Sequence, residues 1–384
     1  MLIYNAKIYT MDNDIIENGY VEISGEKILK VSQGAPKSTG DDDINAGGKL
    51  LFPGFIDAHT HLGIIEDGLG FEGDDSNEET DPVTPQLRAA DGINPFDRCF
   101  EEARAAGITT AVVSPGSANT ICGSVCAIKT TGRRIDDMFF KTVAMKFALG
   151  ENPKSVYNSK NETPVTRMAT AALIREALFK AKKYALDIEN AKNDDTLDDP
   201  EFDIKSEALL PLLERKISAH FHAHRADDIF TAIRICKEFE LDCVLVHATE
   251  GYMVADILGE EEIPAIVGPV LCDRSKPELS RQSIENSGVL NKNGVKTAIC
   301  TDHPEVPIQY LPLSGAISVK GGMDRLCALK AMTIIPAEIC GISNRVGSIS
   351  VGKDADLVLF DGDPLNVMTS PEMVMINGKI VFKG

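Results

Sequence analysis

The histidines are the residues of this chain whose type and spacing could support chemistry. There are seven in 384 residues, and all of them lie at the C-terminal ends of four apolar runs. They are His59, His61, His220, His222, His224, His247 and His303. Asp302 directly precedes the last of them, at the end of the run AICTD. Imidazole and carboxylate groups bind Zn²⁺, Mn²⁺ or Fe²⁺ and leave a position for water. The pattern therefore predicts a divalent metal site.

This set of residues also indicates a reaction. A bound divalent metal lowers the pKa of a water molecule, and the resulting hydroxide attacks a carbonyl or amidine carbon. A neighbouring carboxylate can accept the proton of that water and deliver it to a leaving nitrogen. Asp302 is predicted to be this general base. The residues thus favour hydrolysis of a carbon–nitrogen bond.

Two of the runs place histidines in alternation. His59 and His61 are two residues apart in FIDAHTH, and three further histidines alternate in AHFHAH. Side chains two apart on a strand lie on the same face. Each alternating set is therefore predicted to point into one site.

The elements that carry these residues alternate along the middle of the chain. From about Leu50 to Arg345, strand-like apolar runs are separated by amphipathic stretches, which indicates βα units around a parallel sheet. A segment of roughly 290 residues with this many units fits a closed (β/α)₈ barrel, whose active site lies at the C-terminal ends of the strands. An open doubly wound sheet is the alternative, but the one G-x-G-x-x-G match, GLGFEG at residues 68–73, lies in a polar, acidic segment and not directly between a strand and a helix.

Composition and charge narrow the class of partner. The chain has 58 acidic and 39 basic residues, and its net charge of −19 would repel nucleic acid and anionic membrane surfaces. No apolar run is long enough to span a membrane, and the first residues do not resemble a secretory signal. Nine scattered cysteines indicate reduced thiols. We therefore expect a cytoplasmic protein that binds a small-molecule substrate, without nucleic acid or membrane partners.

Several polar segments separate the predicted elements. Residues 66–95 follow the first barrel strand and are interpreted as either a lid or a mobile surface loop. Residues 188–205 are acidic and are predicted to form a solvated loop. Residues 114–119 and 122–124 are predicted to form a plain turn and a small polar loop.

Three segments resemble the amidohydrolase superfamily: PGFIDAHTH, CTDH and the C-terminal VGSISVGKDADLVLFDGDPL. The resemblance covers essentially the whole chain. It implies a (β/α)₈ barrel over residues 53–344 and a small β-sandwich domain built from residues 1–52 and 345–384. Within the superfamily, HAHRADDI and VGPVL resemble the branch of imidazolonepropionase, which includes prolidase-like enzymes.

The resemblance assigns roles to the histidines and to Asp302. His59 and His61 match the metal ligands of strand one, and Asp302 matches the ligand and general base of strand eight. His247 matches the strand-six histidine, which binds a second metal in binuclear members and polarises the substrate carbonyl in mononuclear ones. His222 matches the strand-five ligand best, although His220 and His224 lie on the same predicted face and remain alternatives. The implied cofactor is one or two divalent ions, with zinc favoured.

The sequence departs from the family pattern at the bridging position. Binuclear members often use a carbamylated lysine on strand four. Lys146 has such a setting in VAMKFALG but lies early in its run, whereas Glu151 lies at the strand end and could be a carboxylate ligand instead.

A second departure lies after strand five. In imidazolonepropionase the segment after strand five reads HADE, and its glutamate helps the chemistry. The aligned segment here reads HAHR, with Arg225 in the position of that glutamate. Arg225 is predicted to capture a substrate carboxylate, or alternatively to form an ion pair with Asp227, Asp228 or the acidic residues 66–81. His224 and His303 are predicted to contact the substrate as well.

These observations predict a metal-dependent amidohydrolase that cleaves an amide or cyclic amide bond of a small substrate. The reaction would be similar to that of imidazolonepropionase or of a prolidase or dipeptidase. One alternative is a deaminase of a heterocyclic substrate on the same scaffold. A non-catalytic scaffold protein is a further alternative, although such relatives lose metal ligands that this chain retains. A homodimer is expected from the family alone.

Overall fold

The computed structural model describes all 384 residues, which form two eight-stranded sheets and twelve α-helices. The strands are β1 (Leu2–Ile8), β2 (Ile16–Ser24), β3 (Lys27–Gln33), β4 (Ile44–Asn45), β5 (Leu50–Pro53), β6 (Phe55–Thr60), β7 (Ile108–Val113), β8 (Ile121–Lys129), β9 (Phe139–Ala148), β10 (Ser218–Ala223), β11 (Cys243–His247), β12 (Ala265–Val267), β13 (Thr297–Ile299), β14 (Leu357–Phe360), β15 (Pro371–Ile376) and β16 (Lys379–Lys383). The helices are α1 (Ala89–Gly92), α2 (Cys99–Ala105), α3 (Ile135–Met138), α4 (Glu151–Ser159), α5 (Arg167–Asn193), α6 (Ile204–Leu213), α7 (Ala226–Phe239), α8 (Ala255–Glu260), α9 (Asn286–Lys292), α10 (Leu311–Lys320), α11 (Arg325–Lys330) and α12 (Ile334–Ile339).

Strands β6 to β13 form a nearly closed barrel in chain order. Neighbouring strands are parallel except at β8, which runs antiparallel to both β7 and β9. The two ends of the sheet meet just beyond β6 and β13. There the N–H of Asp302 donates to the carbonyl of His59 at 3.1 Å, and the N–H of His61 donates to the carbonyl of His303 at 2.9 Å. The predicted barrel with a small β domain from the chain ends is confirmed.

The antiparallel strand β8 was not expected from the sequence. Residues 122–124, predicted to form a polar loop, lie inside β8 and pair with residues on β9. The prediction was wrong because Gly123 and Ser124 are typical of turns, whereas here they form a strand between two neighbours. Gly123 has a φ of +127°, and a Cβ there would lie 2.6 Å from the carbonyl oxygen of Leu87. The glycine is therefore needed because the chain of residues 66–95 passes against it.

Alternation on β10 decides which side chains enter the barrel. Phe221 stacks on Phe147 of β9 with ring centroids 4.6 Å apart. Both rings belong to an apolar cluster that includes Ile229 and Ile233 of α7, so they face the helices. Because neighbouring side chains on a strand point to opposite faces, His220 and His222 point into the barrel.

The second sheet forms the small β domain and joins both ends of the chain. Its strand order is β16, β15, β14, β5, β1, β2 and β3, with β4 paired to β1. A buried ion-pair network links this domain to the barrel: Lys129 at the end of β8 lies between Asp354, at 3.0 Å, and Asp356. The two carboxylates thus link the two domains.

Residues 66–95 are held against the loop that follows β7. The carbonyl of Ser76 accepts the N–H of Gly116 at 2.8 Å, and the Asn77 side chain accepts the N–H of Ala118 at 2.9 Å.

The acidic segment 188–205 is partly helical, because α5 continues to Asn193. None of the helices combines the length and the apolar character that crossing a membrane requires.

Candidate metal centre

Two clusters of potential metal ligands lie side by side at the C-terminal ends of the barrel strands. The first consists of His59, His61 and Asp302, whose ligand atoms lie within 4.8 Å of one another. Asp302 Oδ1 is 3.4 Å from the Nε2 atoms of both histidines. The carboxylate and the imidazoles therefore face one common point.

The second cluster consists of His222, His224 and His247, again with ligand atoms within 4.8 Å. The ring of His247 lies 4.5 Å from that of His222 and 5.4 Å from that of His59, measured between centroids. His247 thus lies between the clusters, and six of the predicted site residues share one chamber. His224, expected as a substrate contact, belongs to the second cluster.

Hydrogen bonds at Nδ1 orient four of these imidazoles. His61 Nδ1 is 2.7 Å from the carbonyl of Ser114, and His247 Nδ1 is 2.7 Å from the carbonyl of Gly268. A carbonyl only accepts, so both rings carry their proton on Nδ1 and direct the lone pair of Nε2 into the chamber. His222 Nδ1 lies 3.0 Å from Ser117 Oγ, and His224 Nδ1 lies 2.7 Å from Thr249 Oγ1.

The loop of residues 114–119 therefore does more than turn the chain. It positions His61 through a backbone carbonyl and His222 through the Ser117 hydroxyl. Sequence reasoning missed this role, because a serine that orients a histidine 105 residues away leaves no local pattern.

The backbone is strained at two of the candidate ligands. His247 has a φ of 72°, its neighbour Ala248 has 44°, and Asp302 has 56°. Non-glycine residues rarely adopt this left-handed region, and such strain concentrates at functional sites.

Burial sets the charge of the site. It lowers the pKa values of His59, His222 and His247, and it lowers that of His224 to about 4. Burial alone would raise the pKa of Asp302, but His247 and His61 hold that pKa below its usual range. These four imidazoles are therefore neutral at pH 7 and the carboxylate is ionised, which are the protonation states that bind a metal.

Asp57 is a buried carboxylate that contacts the backbone beside two members of the first cluster. It is fully buried, accepts hydrogen bonds from Thr301 and from the N–H of His59, and so ties β6 to the end of β13. Burial raises the pKa of Asp57 to about 7.

Lys146 contacts the first cluster. Its Nζ lies 3.1 Å from His59 Nε2, and its side chain is fully buried without an ion-pair partner. Burial lowers the pKa of the amine. Although Lys146 comes early in its apolar run, β9 ends only two residues later, at Ala148.

Glu151, expected as a possible ligand, lies outside both clusters. Its carboxylate accepts the backbone N–H of Glu278 at 3.3 Å, and its own N–H donates to the Glu278 carboxylate at 2.9 Å. The carboxylate that faces the second cluster is instead that of Glu278. This residue lies in the loop after β12 and was not singled out from the sequence, where no periodic or motif signal marks it.

The remaining predicted residues differ in their surroundings. Arg225 forms a two-pronged ion pair with Asp227, at 2.9 Å for each contact, and about half of its side chain is exposed. The ion-pair alternative is thus the arrangement that the structure contains. His303 is buried; its Nδ1 accepts the N–H of Ile308, and its Nε2 has no partner.

The donors present fit a divalent metal. Buried polar atoms normally have partners, yet His59 Nδ1, His222 Nε2 and Glu278 Oε1 have none within the protein. A set of neutral imidazoles and carboxylates suits zinc or a similar borderline ion.

Comparison with known proteins identifies the family. A model of the amidohydrolase family matches residues 50–381. The chain belongs to the amidohydrolase family. This amidohydrolase is 25% identical to an imidazolonepropionase of Fusobacterium nucleatum over 433 residues, covering 98% of this chain and 95% of that protein. It is 30% identical to the amidohydrolase tasK of Hapsidospora irregularis over 95% of its own length, but it spans only 40% of that protein.

The fold agrees with a solved structure. An amidohydrolase from Thermotoga maritima superimposes on this chain with a TM-score of 0.96 and 40% sequence identity. The alignment covers 100% of each chain. The predicted membership of the amidohydrolase superfamily is thus confirmed, as is the prediction of a hydrolase that acts on carbon–nitrogen bonds.

Proposed function

We propose that this amidohydrolase uses a divalent metal to hydrolyse an amide or cyclic amide bond of a small substrate. The observation that carries the proposal is the convergence of His59, His61 and Asp302 on one point. Asp302 Oδ1 lies 3.4 Å from the Nε2 atom of each histidine, and three further histidines lie beside them. The likeness to an imidazolonepropionase supports a cyclic amide as the first substrate class to test.

In this proposal His59, His61 and Asp302 hold the metal, with zinc as the favoured ion. Lys146 joins them as a carbamate: carbon dioxide adds to the amine in its neutral form, which burial favours, a proton is released, and a carboxylate-like ligand results. The contact between Lys146 Nζ and His59 Nε2, together with the lack of an ion-pair partner, supports this role. The bound ion would polarise the substrate carbonyl and lower the pKa of water.

Asp302 moves the proton in this proposal. It is ionised, is held by its neighbours at the chamber floor, and can accept a proton from the attacking water and deliver it to the leaving nitrogen. His247 directs Nε2 into the chamber and would act on the substrate carbonyl or on a second ion. His303, with a buried Nε2 that lacks a partner, would donate a hydrogen bond to the substrate.

The experiment incubates zinc-loaded enzyme with a panel of candidate substrates and identifies the products. The panel contains cyclic amides, Xaa-Pro dipeptides, N-acyl amino acids and amino-substituted heterocycles. New carboxylates and amines indicate an amidohydrolase, whereas release of ammonia from the heterocycles would instead indicate the deaminase alternative. Failure of the whole panel would contradict the proposal.

The first prediction concerns Asp302. Asp302→Asn should lower kcat by about 100-fold or more, because a positioned general base contributes at least that factor. Glu305→Gln is the matched control, since Glu305 is exposed three residues away, and it should keep normal turnover. If the Asn variant retains more than a tenth of the wild-type kcat, Asp302 is not the base.

A further inference from the structure

Glu278 is a buried carboxylate that the proposed reaction does not yet use. It lies in the short 3₁₀ segment Pro277–Leu279, and only 1% of its side chain is exposed. One carboxylate oxygen, Oε2, accepts the N–H of Glu151 at 2.9 Å. The other, Oε1, has no hydrogen-bond partner.

The free oxygen faces the second histidine cluster. Glu278 Oε1 lies 3.7 Å from His224 Nε2 and 3.9 Å from His222 Nε2. Both distances exceed those of N–H···O hydrogen bonds, which are about 2.7–3.2 Å. His222 Nε2 also lacks a partner, so two buried polar atoms face each other without being satisfied.

The histidines are held in the orientation that a ligand needs. Each of the three has its Nδ1 occupied, by Ser117, Thr249 and the carbonyl of Gly268, which leaves every Nε2 directed inward. The three ligand atoms lie within 4.8 Å of one another. In a tetrahedral zinc site with bonds of about 2.1 Å, neighbouring ligand atoms are about 3.4 Å apart. The two distances from Glu278 to the imidazoles are only a few tenths of an ångström longer.

The backbone near Glu278 is shaped to admit its side chain. Gly150 has a φ of +86°, and a Cβ there would lie 2.9 Å from Glu278 Oε2. Any other residue at position 150 would crowd the carboxylate that approaches the histidines.

We infer that Glu278 completes, with His222, His224 and His247, a four-donor site for a divalent cation, separate from the cluster of His59, His61 and Asp302. This inference rests on the proposed metal-dependent function but goes beyond the family resemblance, which gives a second-metal role only to His247. The carboxylate ligand near the end of β9 is then Glu278, supplied by the loop after β12, and not Glu151.

Metal binding tests the inference without a substrate. Chelator-stripped protein is titrated with Zn²⁺ alone, and bound zinc is counted by elemental analysis. Wild-type protein should bind two equivalents. Glu278→Gln should bind the second at least about tenfold more weakly, since a lost ligand costs no less than a lost supporting contact. Glu285→Gln removes the same charge at an exposed position close by and should bind two equivalents.

A second titration isolates the site. In protein carrying His59→Asn and His61→Asn, Co²⁺ should bind once, with the visible absorption of a four-coordinate ion, and adding Glu278→Gln should weaken that binding and change the spectrum. If Glu278→Gln binds metal as the wild type does, or if Lys146→Met removes the second ion while Glu278→Gln keeps it, the inference is overturned.

Thermal unfolding verifies that each variant is folded. If the double histidine variant does not fold, the zinc count of Glu278→Gln in otherwise wild-type protein still decides. If the wild type turns over no substrate of the panel but Glu278→Gln weakens binding of the second zinc as expected, only the proposed function is contradicted. Turnover of the panel with unchanged zinc binding in Glu278→Gln would contradict only this inference.

Discussion

His220 differs from the other histidines because neither of its ring nitrogens has a partner. It is fully buried on β10, in register with Lys146 on β9, one layer below the metal ligands. Burial lowers the pKa of His220 to about 3, with a smaller contribution from Lys146. The ring is therefore neutral in the folded protein at pH 7.

This burial predicts a pH dependence of stability. Below the unfolded pKa of about 6.5, the unfolded chain binds a proton on His220 that the folded chain does not, so the free energy of unfolding falls as the pH drops from about 6.5 towards 3. His220→Phe should remove this contribution. Urea unfolding of metal-free protein should then show a smaller loss of stability between pH 7 and pH 5 for the variant. Equal losses would show that His220 does not supply the difference.

At the scale of elements, the candidate ligands lie at strand ends, and the loops orient their side chains. Strands β6, β10 and β11 deliver histidines to the chamber by simple alternation. The loop after β7 then orients His61 and His222, and it is itself held by residues 66–95. The insertion that the sequence suggested as a lid thus also supports the ligand geometry.

Ser117 tests this support. Ser117→Ala removes the hydroxyl at Nδ1 of His222 and should weaken zinc binding by about 10- to 100-fold, the usual effect of losing a contact that orients a ligand. Titration of chelator-stripped protein measures the change. Ser155→Ala removes a hydroxyl from an exposed position on α4 and should leave the affinity unchanged. An unchanged affinity in Ser117→Ala would mean that packing alone orients His222.

At the scale of the whole molecule, the β domain is coupled to the barrel through buried charge. Lys129 is buried between Asp354 and Asp356, and Asp354 also pairs with Arg345 at 2.8 Å and with Lys27 at 2.6 Å. Burial alone would raise the pKa of Asp354, but the surrounding cations, Lys129 foremost, hold it below its usual range. The network therefore stabilises the fold at neutral pH, and it loses this effect as the pH falls through the lowered pKa.

Removing the buried cation should be costly. Lys129→Met leaves two carboxylates without their central partner and should lower the free energy of unfolding by about 3–5 kcal/mol, as is typical when one member of a buried ion pair is removed. Lys183→Met is the control, because Lys183 is exposed on α5, its partner Asp187 is partly exposed, and such pairs contribute about 1 kcal/mol or less. Urea unfolding at pH 7 compares them. Equal losses for the two variants would show that the domains are not coupled through Lys129.

Local periodicity was sufficient to predict the barrel and most of the side chains that meet at its candidate metal site. A strand exposes every second side chain to one face, so the alternation of His59 with His61 and of His220 with His222 could be interpreted before any contact was known. The same pattern located Asp302 and His247 at strand ends, where barrel active sites lie.

Tertiary structure alone decided the contacts between distant segments. Lys146 meets His59 across 87 residues, and Glu278 approaches His222 from a loop 56 residues further along the chain. Neither contact has a periodic signal, because loops follow no repeat and the barrel must close before their side chains can meet. The strand β8 was missed for the same reason, because its direction and pairing depend on the neighbouring strands β7 and β9.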